Sequence, residues 1–276
     1  MKHSEDYLVA TDGTKLYYQV WKPDTTPKAI IQLVHGLAEH TSRYMNVVNA
    51  LIPAGFGIYA KDHRGHGKSE GVRGYINAFN DFIEDESIFT KLIQEQEKDI
   101  PIFLLGHSLG SMISIFYASE HSDYFTGIIL SGTGFPATSK VNPLVRMMAQ
   151  ILSKIWPKGK LKLELSDEIS RDPKVVDAYV NDPLVFKHIT YRFGAEMLKA
   201  NKKLVKASST ITIPVLGQSG SSDMLMLTPY ELFSLISSSD KELKIYTDLY
   251  HEVYNELELD RNQVLNDLKE WLEAHI

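Results

Sequence analysis

The sequence predicts an α/β fold: a mostly parallel central sheet with helices on both faces, interrupted by one helical insertion. Three observations carry this reading. Short, continuously apolar runs alternate with longer amphipathic ones in the first half of the chain, as strands buried on both faces do between crossover helices. From about residue 135 to residue 208 the alternation breaks, leaving helical patterns and prolines at 136, 143, 157, 173 and 183. The stretch P-I-F-L-L-G-H-S-L-G-S-M-I-S (101–114) joins a buried strand to a buried helix through G-x-S-x-G.

The elements follow in order. Residues 7–9 and 15–21 flank Thr11-Asp12-Gly13-Thr14, and Asp-Gly between apolar-rich runs predicts a hairpin. Pro23 and Pro27 mark a loop, and residues 29–34 form the first buried strand, ending at His35-Gly36-Leu37. Residues 43–54 place Tyr44, Val47, Val48 and Leu51 on one helix face. A strand at 56–60 leads into the polar, glycine-rich loop 61–69, and residues 77–98 form a long helix whose apolar stripe includes Phe82, Ile83, Phe89, Leu92 and Ile93. Residues 102–105 are the elbow strand, and 109–119 are apolar on nearly every side, which suits a buried helix. Further strands are read at 127–130, 214–218 and 243–247, with a last helix from near Asp260 carrying Val264, Leu265, Leu268, Trp271 and Leu272 inward. The division is a core of residues 1–134 and 209–276 and a cap of 135–208.

Composition narrows the function. With 276 residues, 43% of them apolar, the chain can bury one large core. A formal charge of −6 leaves no basic excess to neutralise phosphates, which argues against nucleic acid as a partner. The absence of cysteine excludes disulfides, a thiolate nucleophile and cysteine–zinc sites. The first ten residues lack the apolar core of a signal peptide, and no apolar run approaches the roughly 18 residues of a spanning helix. The expectation is a soluble, cytoplasmic protein.

A serine hydroxyl is a weak nucleophile until a base takes its proton, and that base needs a third group to hold its tautomer. In the α/β-hydrolase arrangement the order along the chain is serine, acid, histidine, each in a loop after a strand. Ser108 lies at the elbow, Asp223 follows the strand at 214–218, and His251 follows the strand at 243–247. Asp248 is the competing acid, but it shares a short loop with the histidine. His121 and His188 lie in or after helical stretches and read as surface residues. Asp62, His63 and His66 sit among glycines that suit a tight turn better than a metal site, and no metal or cofactor is expected. The oxyanion of a tetrahedral intermediate needs N–H donors; the backbone N–H of Leu109, at the start of the helix, and that of Leu37 are placed for it. His35 reads as a packing residue, and His107 as substrate-facing or buried.

H-G-L-A-E-H-T-S-R-Y (35–44), D-H-R-G-H-G-K-S-E-G (62–71), G-H-S-L-G-S (106–111) and Y-H-E-V-Y-N-E (250–256) resemble the monoacylglycerol lipase and lysophospholipase family of α/β-hydrolases. The insertion resembles that family's cap through I-S-R-D-P-K-V-V-D-A-Y-V-N-D-P-L (169–184), and the likeness covers nearly the whole chain. It implies a serine ester hydrolase acting on a small lipid ester, with Ser108, Asp223 and His251 as triad, Leu37 and Leu109 as oxyanion donors, and a cap forming an apolar channel for one acyl chain. It further implies a glycerol end met by Glu39, Arg43, His107 and Tyr179. Three residues after the base this sequence has Tyr254 where animal members have histidine; a phenol still donates and accepts a hydrogen bond.

The helical stretch 141–156 holds Leu144, Val145, Met147, Met148, Ile151, Leu152, Ile155 and Trp156, too apolar for a solvated helix. One reading has it line the acyl channel, through residues such as Met148 and Ile151, and touch a lipid surface; the other has it only pack the cap onto the core. A lysophospholipase or a broad carboxylesterase would share the same triad. A non-catalytic ligand-binding protein on this fold is disfavoured because all three triad positions and both oxyanion loops are present. A dehalogenase or epoxide hydrolase would carry aspartate at the elbow.

Overall fold

Runs of apolar residues with no polar alternation need shelter on both sides, and the chain provides it by stacking helices on either face of one sheet. The computed structural model describes residues 1–137, 142–163 and 168–276. The chain opens with the hairpin β1 (Lys2–Val9) and β2 (Lys15–Lys22), paired Val9 to Lys15. Asp12 Oδ1 accepts the Thr14 N–H at 3.0 Å and so closes the turn. Next come β3 (Ala29–Val34), α1 (Met45–Leu51), β4 (Phe56–Lys61), α2 (Asn80–Gln96), β5 (Ile102–His107), α3 (Leu109–His121) and β6 (Gly127–Ser131). The segment expected to form the cap, 135–208, carries β7 (Phe135–Pro136), α4 (Pro143–Ile155), β8 (Lys160–Lys162), α5 (Pro173–Asn181), β9 (His188–Thr190) and α6 (Tyr191–Ser208). The core resumes with β10 (Val215–Gly220), β11 (Met226–Leu227), α7 (Pro229–Leu235), β12 (Lys241–Tyr246) and α8 (Glu258–Ala274).

The main sheet runs β1-β2-β4-β3-β5-β6-β10-β12. The pairings β1/β2 and β2/β4 are antiparallel and the others parallel. Alternate residues of β3 face opposite layers. Ile30 and Val34 join a core with Phe82 and Phe89 of α2, Met112 of α3 and Phe193 of α6. Ala29, Ile31 and Leu33 join one with Val47 and Leu51 of α1 and Leu268 and Trp271 of α8. The α/β-hydrolase architecture is therefore present.

Several boundaries differ from expectation for identifiable reasons. The hairpin reaches back to Lys2 because β2 offers an edge to pair with, although β1 is exposed at every residue but Leu8 and so lacks an apolar pattern. The helix expected over 43–54 is a 3₁₀ turn (Thr41–Tyr44) followed by α1, which ends before Pro53, a residue with no N–H to continue it. In the cap, prolines start helices: Pro173 opens α5, with Asp172 Oδ1 accepting the Lys174 N–H at 2.9 Å. Val141, expected in the first cap helix, lies outside the described residues.

Of the six buried histidines, four are pushed by burial toward the neutral form. His35 Nε2 accepts the His63 N–H at 2.9 Å, and the ring nitrogen His63 Nε2 donates to the His35 carbonyl at 2.9 Å, so the 61–69 loop is latched to the end of β3. Asp62 accepts the N–H groups of Thr41 and Lys68, both at 2.8 Å, which accounts for its carboxylate as a turn-former. Burial pushes His35 and His63 well below the ordinary histidine value, and pushes His66 and His107 down to about 3. A group with a lowered folded pKa binds fewer protons than in the unfolded chain, so stability is lost as pH falls below the unfolded value of about 6.5. His66 and His107 should each cost about 2 kcal/mol at pH 5; His251, whose folded pKa is raised, offsets part of this. Urea midpoints should therefore fall between pH 7 and pH 5, and a flat or rising midpoint would contradict the buried neutral histidines.

Candidate active site

The site is built where β5 turns into α3. Ser108 sits between them at φ 55° and ψ −116°, a conformation L-residues rarely hold. Two glycines make it attainable. A Cβ at Gly106 would lie 2.3 Å from the Gly110 carbonyl oxygen, and one at Gly110 would lie 1.9 Å from the Val34 carbonyl oxygen. The Ser108 N–H donates to the Ser131 carbonyl at 3.0 Å, and its own carbonyl accepts from Ser111 and Met112 at 3.0 and 3.3 Å. Leu109 opens α3, so its N–H has no partner within the helix. The 35–39 loop passes beside the serine: a Cβ on Gly36 would stand 3.3 Å from the Ser108 Cβ.

Parallel pairing of β10 with β12, ending at Gly220 against Tyr246, sets the next two loops side by side. Backbone bonds from Ser221 to Tyr246 (2.8 Å) and from Ser222 to Leu249 (3.0 Å) fasten them together. Asp223 Oδ2 then lies 2.8 Å from His251 Nδ1, while its Oδ1 accepts the N–H groups of Leu225 and Met226 at 2.8 and 3.0 Å. Burial alone would raise the Asp223 carboxyl, but His251 and these N–H donors more than offset it and hold it below the usual aspartate value. For His251 burial works downward, and the charge and hydrogen bond of Asp223, with Glu252 and Glu39 beyond, lift it above the ordinary histidine value. Asp248 is exposed, and its N–H is bonded to Ser221 Oγ at 2.8 Å.

Ser108, His251, Leu37 and Leu109 share the wall of one cavity of about 370 Å³. At the same end lie Glu39, His107, Tyr179 and Glu252. His107 is 4.8 Å from His251 between ring centroids, and its Nδ1 is 3.2 Å from Ser131 Oγ. The remainder of the wall is mostly apolar, with Val145 and Ala149 of α4 and Met197 and Leu198 of α6 forming much of the cap side. Behind the polar end, Arg43 Nη1 donates to Glu39 Oε2 at 2.8 Å, and Nη1 and Nη2 grip both oxygens of Glu252 at 2.7 and 2.8 Å. Its guanidinium stacks 4.7 Å from the Tyr179 ring centroid. Glu39 Oε1 is also held by the Gly36 N–H at 2.6 Å and the Tyr44 hydroxyl at 2.7 Å.

Four expected substrate-binding residues do not line the cavity: Arg43, which stands behind its polar end, and Met148, Ile151 and Tyr254. Met148 and Ile151 are 53% and 49% exposed, because α4 turns Val145 and Ala149 to the cavity and Leu144, Met148, Ile151 and Ile155 to the outside. Tyr254 is buried beneath the site, packed in the α1/α8 core layer with its hydroxyl donating to Gln218 Oε1 at 2.7 Å. Conversely, Glu252 is a residue of the cavity wall that the sequence does not point to. Its partner is 209 residues away, and its one sequence signal is that it follows the histidine.

Fold and site together define an α/β-hydrolase. Residues 25–258 match the serine aminopeptidase S33 family, and the chain belongs to it. It is 33% identical to a monoacylglycerol lipase of Mycolicibacterium smegmatis, over 99% of this chain and 98% of that one. It is 36% identical to the monoglyceride lipase of Mus musculus, over 98% and 90%. A soluble variant of monoglyceride lipase from Saccharomyces cerevisiae, solved with a substrate analog, has the same fold at TM-score 0.86 and 26% identity, covering 98% of this chain and 94% of that one.

The two aspartates can be separated by experiment. Asp223→Asn should lower kcat by up to about 10⁴ through the wrong histidine tautomer and move the acid limb of the residual kcat/KM to lower pH. Asp248→Asn should leave both unchanged. The reverse pattern in pH–rate profiles would make Asp248 the acid.

Proposed function

We propose that the protein hydrolyses monoacylglycerols to a fatty acid and glycerol through an acyl-enzyme on Ser108. The observation that carries this is a single cavity with an apolar cap-side wall and a hydrogen-bonding end, with Ser108 where the two meet. One acyl chain and one small polyol match those two ends, and the monoacylglycerol lipases among its relatives support the reading.

With Nδ1 held by Asp223, His251 Nε2 is the nitrogen available to take the Ser108 proton as Oγ bonds to the ester carbonyl carbon. The oxygen that becomes negative is met by the N–H groups of Leu37 and Leu109. The ester C–O bond then breaks and glycerol leaves with the proton from His251. Water, activated by the same histidine, attacks the acyl-enzyme and returns the serine with release of the fatty acid. His107, kept neutral by burial and by its neighbour His251, adds no positive charge beside the base.

Hydrolysis of lipids of one chain length tests this. Ser108→Ala should cost on the order of 10⁶ in kcat. The wild type should prefer monoacylglycerol over lysophosphatidylcholine by at least about tenfold in kcat/KM, with di- and triacylglycerols poorer still. Activity surviving in Ser108→Ala would overturn the nucleophile, and a lysophospholipid preference would overturn the head-group assignment.

The outer face of α4 serves, on this reading, as a transient contact with the lipid surface that holds the substrate. Leu144, Met147, Met148 and Ile151 are each about half exposed, and Ile155 and Trp156 more so; so large a stripe is rarely left bare without a use. A Met148→Ser, Ile151→Ser double variant should bind vesicles less and turn over vesicle-borne substrate more slowly while cleaving a soluble short-chain ester normally. Unchanged vesicle binding would leave α4 without this role.

A further inference from the structure

The polar end of the cavity has an unexpected charge distribution. Two carboxylates, Glu39 and Glu252, belong to its wall, and no lysine or arginine does among the described residues. The nearest cation, Arg43, stands behind them. Glu252 takes both of its terminal nitrogens in a bidentate grip, Glu39 takes a second bond from Nη1, and the flat of the guanidinium lies against Tyr179. A bidentate guanidinium–carboxylate pair is the strongest of the common ion pairs, and once formed it leaves little for a third party. Glu252 itself is fixed: its N–H donates to the Ile169 carbonyl at 2.7 Å, and Oε2 accepts from Asn255 Nδ2 at 2.9 Å.

Resting on the acyl-glycerol reading above, we propose that Glu252 determines head-group selectivity: by engaging Arg43 and facing the cavity beside His251, it admits uncharged polyol head groups and rejects anionic ones. A phosphate on the glycerol would enter a pocket that shows it carboxylates and has its cation already matched, and desolvating that charge without a partner is costly. A glycerol hydroxyl can donate to the same carboxylate oxygens. The sequence alone offers Glu39, four residues before Arg43, as one partner for that cation; Glu252 is the second, bidentate one.

The test compares 1-oleoylglycerol with 1-oleoylglycerol 3-phosphate in neutral detergent micelles, for the wild type, Glu252→Gln and Glu252→Asp. Glutamine keeps the size and an acceptor for Arg43 while removing the charge. In Glu252→Gln the ratio of kcat/KM for the phosphate ester to that for the neutral ester should rise at least about tenfold, mainly through a lower KM for the phosphate ester, while kcat/KM for the neutral ester falls because its hydroxyls lose a charged acceptor. Glu252→Asp should restore wild-type selectivity. An unchanged ratio, or equal losses on both esters, would reduce Glu252 to a structural partner of Arg43 and overturn the proposal.

A measurement on the wild type stands apart from variant folding and from the substrate assignment. Glycerol should inhibit hydrolysis of a soluble short-chain ester competitively, and glycerol 3-phosphate should inhibit at least about tenfold more weakly. Equal inhibition would overturn the charge argument even where oleoylglycerol is cleaved. Failure to cleave oleoylglycerol, with the inhibition pattern intact, would count against the acyl-glycerol reading alone.

Discussion

The site depends on how closely α3 is driven against β3. At Gly110 there is no room for even one carbon between the helix and the Val34 carbonyl, and at Gly106 the following helix presses equally near. A helix that close cannot be entered by a relaxed turn, so the strain collects on Ser108, at a cost of order 1–3 kcal/mol. Burial supplies what opposes it. All six residues of β5 and most of α3 are removed from water, and each fully buried aliphatic side chain contributes roughly 1.5–3 kcal/mol. The same geometry lifts the serine out of the sheet and leaves the first N–H groups of α3 pointing where an oxyanion would form. The proposed nucleophile and the proposed oxyanion donor are thus two results of one packing constraint.

Around that turn, charge is kept in two separate compartments. Asp223 and His251 form one, with the carboxylate held ionised by backbone N–H groups and the imidazole's affinity for a proton raised. Arg43, Glu39 and Glu252 form the other, in which burial pushes the Glu39 carboxyl up while the bidentate contact with Arg43 holds Glu252 down. His107 lies between them, and its neutrality keeps a positive charge from competing for the proton that His251 must accept. Were His107 charged, the proposed base would titrate lower.

How much of this is legible in the sequence follows from the range of the forces involved. Strands β3, β4 and β5 can be read because burial on both faces leaves them almost wholly apolar, with Gln32 inside β3 and Lys61 and His107 at the ends of β4 and β5 as the exceptions, a local signature. The elbow can be read because G-x-S-x-G encodes a steric need within five residues. The triad order can be read because each member follows a strand. Residues that depend on direction cannot be read this way. In α4 the polar residues Arg146, Gln150, Ser153 and Lys154 share one stripe and apolar side chains take the wide remainder, so periodicity does not say that within it Val145 and Ala149 look inward and Met148 and Ile151 outward. Tyr254 sits one short 3₁₀ turn past His251, and that turn carries its phenol down to Gln218 instead of up to the cavity. Glu252 gains its meaning only from Arg43, across almost the whole chain. Family likeness supplied Arg43 and Glu39 without the residue that changes their charge balance.

The two apolar faces of α4 belong to one physical problem. A single-chain ester is barely soluble, so it must pass from a lipid surface to a cavity without exposing its chain to water, and each methylene left in water costs about 0.8 kcal/mol. In α4 the boundary is apolar: Val145 is 54% exposed and also part of the cavity wall, so the outer stripe and the inner lining meet at a side chain that belongs to both. Methionines at 147 and 148, unbranched and easily reshaped, flank this crossing on the outer side. The polar residues of α4 keep to one stripe, Arg146, Gln150, Ser153 and Lys154, and the apolar remainder is wide enough to serve both the outer surface and the cavity, which is what the proposed contact with a lipid surface asks of it.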